Sequence, residues 1–325
     1  MFLDTFMDDA SEGIMENPVP ELEDLQLECA VSLEAAYSDL MLEGCQLKYQ
    51  EIAEGASVSA INEGVIEAIK NFFKKLFNAI KKFFGFGSSS SGDGASRQNI
   101  DKLKKQLEDK HVIEGMDYLA DHPELWNGEE FKIPDGKTLI MLEESEINNG
   151  LKNAIDVAQF DIEEGSKHIG EEKTSFTLDS DKIALSALRT FIMVACKRYN
   201  GIVDAEINSL GDFKNALEGY TKMVPPPIIK YDMNENYRED INTMDEYCQE
   251  IQNNKKVVIK QMENFQKRVM TEIPPEYAAI GCKVAKTLTN AVMILYSYEC
   301  RMVKRSCEVL HRIIELAIKV STKTK

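Results

Sequence analysis

The feature that most limits the fold is a long apolar rhythm in the C-terminal third of the chain. Ile241, Met244, Cys248, Ile251, Lys255, Val258, Met262, Phe265 and Val269 alternate three and four residues apart. After Pro274-Pro275 the same seam continues through Ile280, Val284, Leu288, Ala291, Leu295, Tyr298, Met302, Val309, Ile313, Leu316 and Val320. A stripe repeating every 3.5 residues is buried only when a helix lies along other helices. Two consecutive prolines stop the first helix and stiffen the turn into the second. The expected fold is therefore all-α, an antiparallel bundle of long helices.

The same periodicity predicts helices over about 143–169, 180–223, 234–272 and 276–323, with a further one from an N-cap at Ser96 to about Asp121. Residues 122–142 break the pattern. Pro123, Gly128, Pro134 and the Asp135-Gly136 turn are interleaved there with Trp126, Phe131, Ile133, Leu139 and Ile140, giving a short irregular or hairpin insertion. Val224-Pro225-Pro226-Pro227 forms a second stiff connector. The expected organisation is a leader over 1–63, a basic amphipathic helix over 64–86, a Gly/Ser linker over 87–96 and a helical bundle over 97–325.

The helix at 64–86 carries the strongest functional signal. Val65, Ile66, Ile69, Phe72, Phe73, Leu76, Phe77, Ile80, Phe83 and Phe84 fall on one face, and Lys70, Lys74, Lys75, Lys81 and Lys82 on the other, with no acid between 70 and 86. Six of the chain's 14 phenylalanines lie between Phe72 and Phe86. Such a helix suits the plane of an anionic membrane, its apolar face sunk at the headgroup boundary. It suits a partner helix, or its own bundle, equally well. The lysines exclude a simple membrane span. The tether GFGSSSSGDGAS, residues 85–96, would let the helix act apart from the bundle.

The preceding leader is its electrostatic opposite. Residues 1–63 hold fifteen acids against the single base Lys48, so −14 of the chain's net −17 lies there. Leu22, Leu25, Leu27, Val31, Leu33, Ala36, Tyr37, Leu40, Met41 and Leu47 predict a helix from about Pro20 to Glu54. A leader of this charge is expected to neutralise the lysine face until removed.

Two short motifs bear on that removal. Ile52-Ala53-Glu54 precedes Gly55 and Ile61-Asn62-Glu63 precedes Gly64, with Met41-Leu42-Glu43 before Gly44 a looser copy. These resemble the aliphatic-x-Glu sites cut by the prohead proteases of large tailed bacteriophages. An acidic, cleavable leader ahead of a helical body is similar to the internal or minor virion proteins of those phages. The resemblance covers about the first quarter of the chain and implies a structural protein with virion or scaffold partners. Cutting after Glu63 would leave only Glu67 opposing the lysines.

Other classes fare worse. Asp135-Gly136-Lys137-Thr138 ends like a phosphate-binding loop but has Phe131 where that motif needs glycine. Asp179-Ser180-Asp181 starts like a calcium loop but has Ala184 at the glycine position, and is better read as a helix cap. Glu108-x-x-His111 and Glu308-x-x-His311 have di-iron spacing, yet His311 falls about 200° from its helix's seam. Seven scattered cysteines without a C-x-x-C pair indicate a reducing compartment, which the phage resemblance implies to be the virion or host cytoplasm. The N-terminus lacks the pattern of a standard signal peptide. The acidic balance places nucleic acid behind membrane and protein as a partner. The expectation is a non-enzymatic protein without a cofactor, with oligomers open; the competing class is a peripheral membrane-binding or membrane-perturbing protein with a helical-bundle interaction domain, and an enzyme with a site near residues 122–142 or a metal site in the bundle is a distant third.

Overall fold

The computed structural model describes residues 22–54, 57–85, 100–125, 143–169, 178–199, 201–223 and 236–322. Among them every regular element is helical: α1 Leu22–Glu54, α2 Val58–Gly85, α3 residues 100–106, α4 Lys110–Asp121, α5 Glu144–Ile169, α6 Ser180–Ala195, α7 Leu210–Met223, α8 Asn236–Thr271 and α9 Ala278–Ser321. A short 3₁₀ turn at Pro123–Leu125 follows α4, and another at Pro275–Tyr277 joins α8 to α9. The linker 87–96, Val224 to Pro227 and the insertion from Trp126 to Leu142 lie outside the described residues.

The bundle is organised around α9. Its 44 residues make a rod of about 66 Å at 1.5 Å per residue, and α1, α2, α4, α5, α6, α7 and α8 all touch it. From Leu288 to Tyr298 each of its side chains is buried, as expected of a helix that is apolar all round. The stretch Pro275–Arg301 is long and apolar enough to cross a membrane by length and composition, a property the sequence reading missed, and 78% of it is covered by the other helices. The Pro274-Pro275 turn folds α8 back on α9, where Gly281 lets Val269 approach; a Cβ there would stand 2.7 Å from the valine. Gly115 does the same for α4, since a Cβ on it would lie 1.9 Å from the carbonyl oxygen of Ala317.

Two expected helices are each divided in the structure. The helix expected over 96–121 breaks at Leu107–Asp109, where Asp109 accepts from the His111 N–H (2.8 Å) and starts α4. The expected helix 180–223 ends at Ala195 and restarts at Leu210. Gly201, at φ +90°, takes a left-handed turn that side chains resist. Ser209 and Asp212 then cap α7: Asp212 N–H donates to Ser209 Oγ (3.1 Å), and Asn208 N–H donates to Asp212 Oδ2 (3.0 Å). Asp179 caps α6, accepting from the N–H groups of Asp181 and Lys182. In α8, Val258, Met262, Phe265 and Val269 keep the expected seam, but buried Asn254 replaces half-buried Lys255 at its edge.

The leader does not stand apart. α1 runs antiparallel to α2 and also lies on α9, so its buried residues belong to the same core as α8 and α9. Leu25, Cys29, Leu33, Ala36 and Leu40 face inward, spaced three or four apart. Leu27, Val31, Met41 and Leu42 point outward, with Leu27 63% exposed. α1 is therefore apolar on two faces, and only one of them is covered by the described residues.

Candidate functional site

The basic amphipathic helix forms as expected but does not present its apolar face. Ile69, Phe72, Phe73, Leu76, Ile80, Phe83 and Phe84 are buried and Phe77 is half-buried, packed against α1, α8 and α9. Fully burying one such side chain contributes about 1.5–3 kcal/mol, so four buried phenylalanines outweigh any ionic contact on this helix. Their rings interlock edge to face: Tyr37 with Phe72 at 6.4 Å, Phe72 with Phe73 at 5.4 Å, Phe83 with Phe84 at 5.1 Å and Phe84 with Tyr296 of α9 at 5.1 Å. Membrane, partner helix and its own bundle are the surfaces expected for that face. That face meets the helix's own bundle first.

The lysine face stays outside. Lys70, Lys74, Lys75, Lys81 and Lys82 are exposed. Two of them reach the leader: Lys75 Nζ donates to Asp39 Oδ2 (2.6 Å), and Lys82 pairs with Glu28. Exposed pairs contribute about 0–1 kcal/mol each. Apolar packing therefore supplies the adhesion of α1, and the charges fix its register along α2. Lys70 turns to Glu67 on its own helix, 3.7 Å away.

A third cation closes the arrangement from the other side. Lys286, a lysine buried within α9, pairs with Glu34 and sits 4.6 Å from the centre of the Tyr37 ring. Burial, with the nearby charges of Cys282, Asp181 and Glu34, pushes the Tyr37 hydroxyl up to about 12. Cys29 Sγ donates to the Ala79 carbonyl (3.7 Å), and burial raises this thiol too. Glu28, Glu34 and Asp39 of α1 thus meet lysines on two helices, α2 and α9. Sequence reading missed Lys286, Glu34 and Tyr37; the one available signal was a lysine interrupting the most apolar run of the chain.

The expected cleavage motifs fall in different surroundings. Glu54 is the last residue of α1, Gly55 lies outside the described residues, and Ser57 is non-helical before α2 begins. Glu63 is exposed but lies inside α2, and Gly64 packs so closely on Leu47 that a Cβ would stand 2.6 Å from its methyl group. The glycine after Glu63 therefore has a packing role of its own. Ile69 also lines, with Val65, Ile66, Val269, Ile273 and Pro274, a half-open cleft of about 240 Å³, below the size of a typical ligand site.

The buried acids elsewhere are occupied in the core. Glu146 meets Arg198 Nε at 2.8 Å, and Glu299 accepts from the Tyr199 hydroxyl at 2.9 Å. His111 faces Glu114 at 3.8 Å and His311 faces Glu315 at 3.3 Å, each along its own helix. Among the described residues no three His, Cys, Asp or Glu side chains converge to hold a metal ion.

Fold and site together define an all-α bundle in which an acidic helix is clasped over a basic, phenylalanine-rich one. Comparison of the chain with protein-family models, with curated proteins and with solved structures gave no match.

Proposed function

We propose that this is a non-enzymatic, virion-associated internal or minor structural protein, similar to those of large tailed phages, in which α1 is a removable cover over α2. The observation that carries this reading is the pairing of the two helices: acids Glu28 and Asp39 stand opposite Lys82 and Lys75, and a three-residue connection separates the helices. A cut after Glu54 removes α1 with everything before it, −13 of the chain's net −17, and bares one flank of the phenylalanine face. The bared helix then engages the shell or scaffold around it.

The two motifs predict an order of cutting. A protease reads an extended backbone, and Glu54 borders the connection whereas Glu63 lies within a helix. The cut after Glu54 comes first, and the cut after Glu63 follows once the loss of Leu47 lets the first turns of α2 unwind. The mass and N-terminal sequence of the protein from its native particle test this. A chain starting at Gly55 or Gly64 supports the reading; a chain that keeps α1 overturns it. Glu54→Gln with Glu63→Gln blocks the trimming, and normal trimming in that variant rules out these sites.

A second reading is favoured by the exposed lysine face: an unprocessed protein that rests on anionic membranes through Lys70, Lys74, Lys75, Lys81 and Lys82. It predicts flotation of the intact chain with anionic vesicles, lost at high salt. Absence of flotation removes it.

A further inference from the structure

We propose that the groove between α2 and α9 is a docking site for an acidic amphipathic helix of a partner protein, with α1 as its resident placeholder. The inference rests on the removable-cover reading and names what takes the place of the cover. The groove has an apolar floor, supplied by Phe72, Phe73, Leu76 and Ile80 of α2. Its cations come from both walls: Lys75 and Lys82 from α2, and Lys286 from α9, all answered by carboxylates of α1. An occupant must therefore be apolar along one stripe and acidic along both edges of it. A lipid surface or a nucleic acid presents negative charge on a plane or a strand, not on both sides of an apolar ridge.

The fit of α1 is incomplete. Thr289, Asn290 and Ser297 lie three, four and eleven residues beyond Lys286, on the same face of α9. All three are buried, and Thr289 Oγ1, Asn290 Oδ1 and Ser297 Oγ make no hydrogen bond. The inward residues of α1 are Leu25, Cys29, Leu33, Ala36 and Leu40, with the Tyr37 ring beside Lys286, and none of them hydrogen-bonds these atoms. A partner helix with the same acidic edges and one amide or hydroxyl on its apolar stripe uses what α1 leaves unused, and displaces it.

The test uses the full chain with a specific-protease sequence inserted at residues 55–57. After nicking, a fluorescent peptide of residues 22–54 is added as the probe, and binding is read by anisotropy against the same peptide carrying Glu28→Gln, Glu34→Gln and Asp39→Asn. The expected result is exchange of the resident α1, with about tenfold weaker binding of the neutralised peptide, the effect expected of three ion pairs. Equal binding of the two peptides overturns the inference and leaves the removable cover standing. No exchange at all overturns both. Light scattering on the un-nicked chain is expected to give a monomer; a dimer with exchanged α1 helices would assign the groove to a second copy and overturn the partner named here.

Discussion

Phe73 has no exposed surface, sits against the rings of Phe72 and Phe77, and lies in the middle of α2. Phe73→Ala is expected to cost about 3–5 kcal/mol in urea unfolding, whereas exposed Lys74→Ala changes stability by less than about 0.5 kcal/mol. Introducing glutamate at Phe73 would unfold the region before any membrane assay could report on it. Thiols give a second residue-level test. Burial holds Cys196 and Cys282 far above the usual thiol range and pushes Cys307 up to about 12, while Cys45 is exposed. Buried thiols stay protonated at pH 8, so a thiol reagent is expected to modify Cys45 rapidly and these three only after unfolding. Rapid native labelling of Cys196 would contradict the packing. Periodicity made the burial of Phe73 legible as a direction but not as a contact. Spacing says which face of a helix is apolar and nothing about what covers it.

At the scale of the element, α1 is held less firmly than the helix it covers. It buries three leucines, one cysteine and one alanine where α2 buries four phenylalanines, and unsatisfied polar atoms lie on the α9 face that carries Lys286. A buried group without a partner costs about 1–3 kcal/mol. Thr289→Val with Ser297→Ala is therefore expected to tighten α1, seen as slower amide exchange over residues 25–40; unchanged exchange would show that those atoms are not at the seam. Alkaline pH acts in the opposite direction. Because Tyr37 ionises at about 12 in the folded chain against an ordinary value of 10.0, folding keeps it neutral. Its contribution is complete below pH 10 and lost as pH rises toward 12. Tyr37→Phe is expected to flatten that decline in a pH series of unfolding midpoints. From sequence, Leu27 and Val31 looked the same as Leu25 and Leu33. Four apolar residues on the far side of α1 blurred its phase, and its true inner face became visible only once α2 and α9 fixed it.

At the scale of the whole molecule, the Pro274-Pro275 junction and the seam on either side of it were legible because long-range periodicity and helix-breaking chemistry agree there. The break between α6 and α7 was hidden because Gly201 and the Ser209–Asp212 cap are short signals inside a longer apolar rhythm. The expected partition into leader, helix and bundle follows charge and composition, which change sharply near residue 64, whereas the hydrophobic core runs across that border. Hydrogen exchange is expected to rank the centre of α9 slowest and α1 faster than α2; equal protection of α1 and α2 would mean that α1 is integral to the fold rather than a cover. The central place of α9 also bears on how the chain is made. It is the last of the described helices to leave the ribosome, directly after α8, and until these two emerge α2 has neither to rest on. During that interval the one neighbour already synthesised is α1. An early α1–α2 hairpin would shelter the phenylalanines while the remaining helices are translated, which would give the acidic helix a use before the bundle exists.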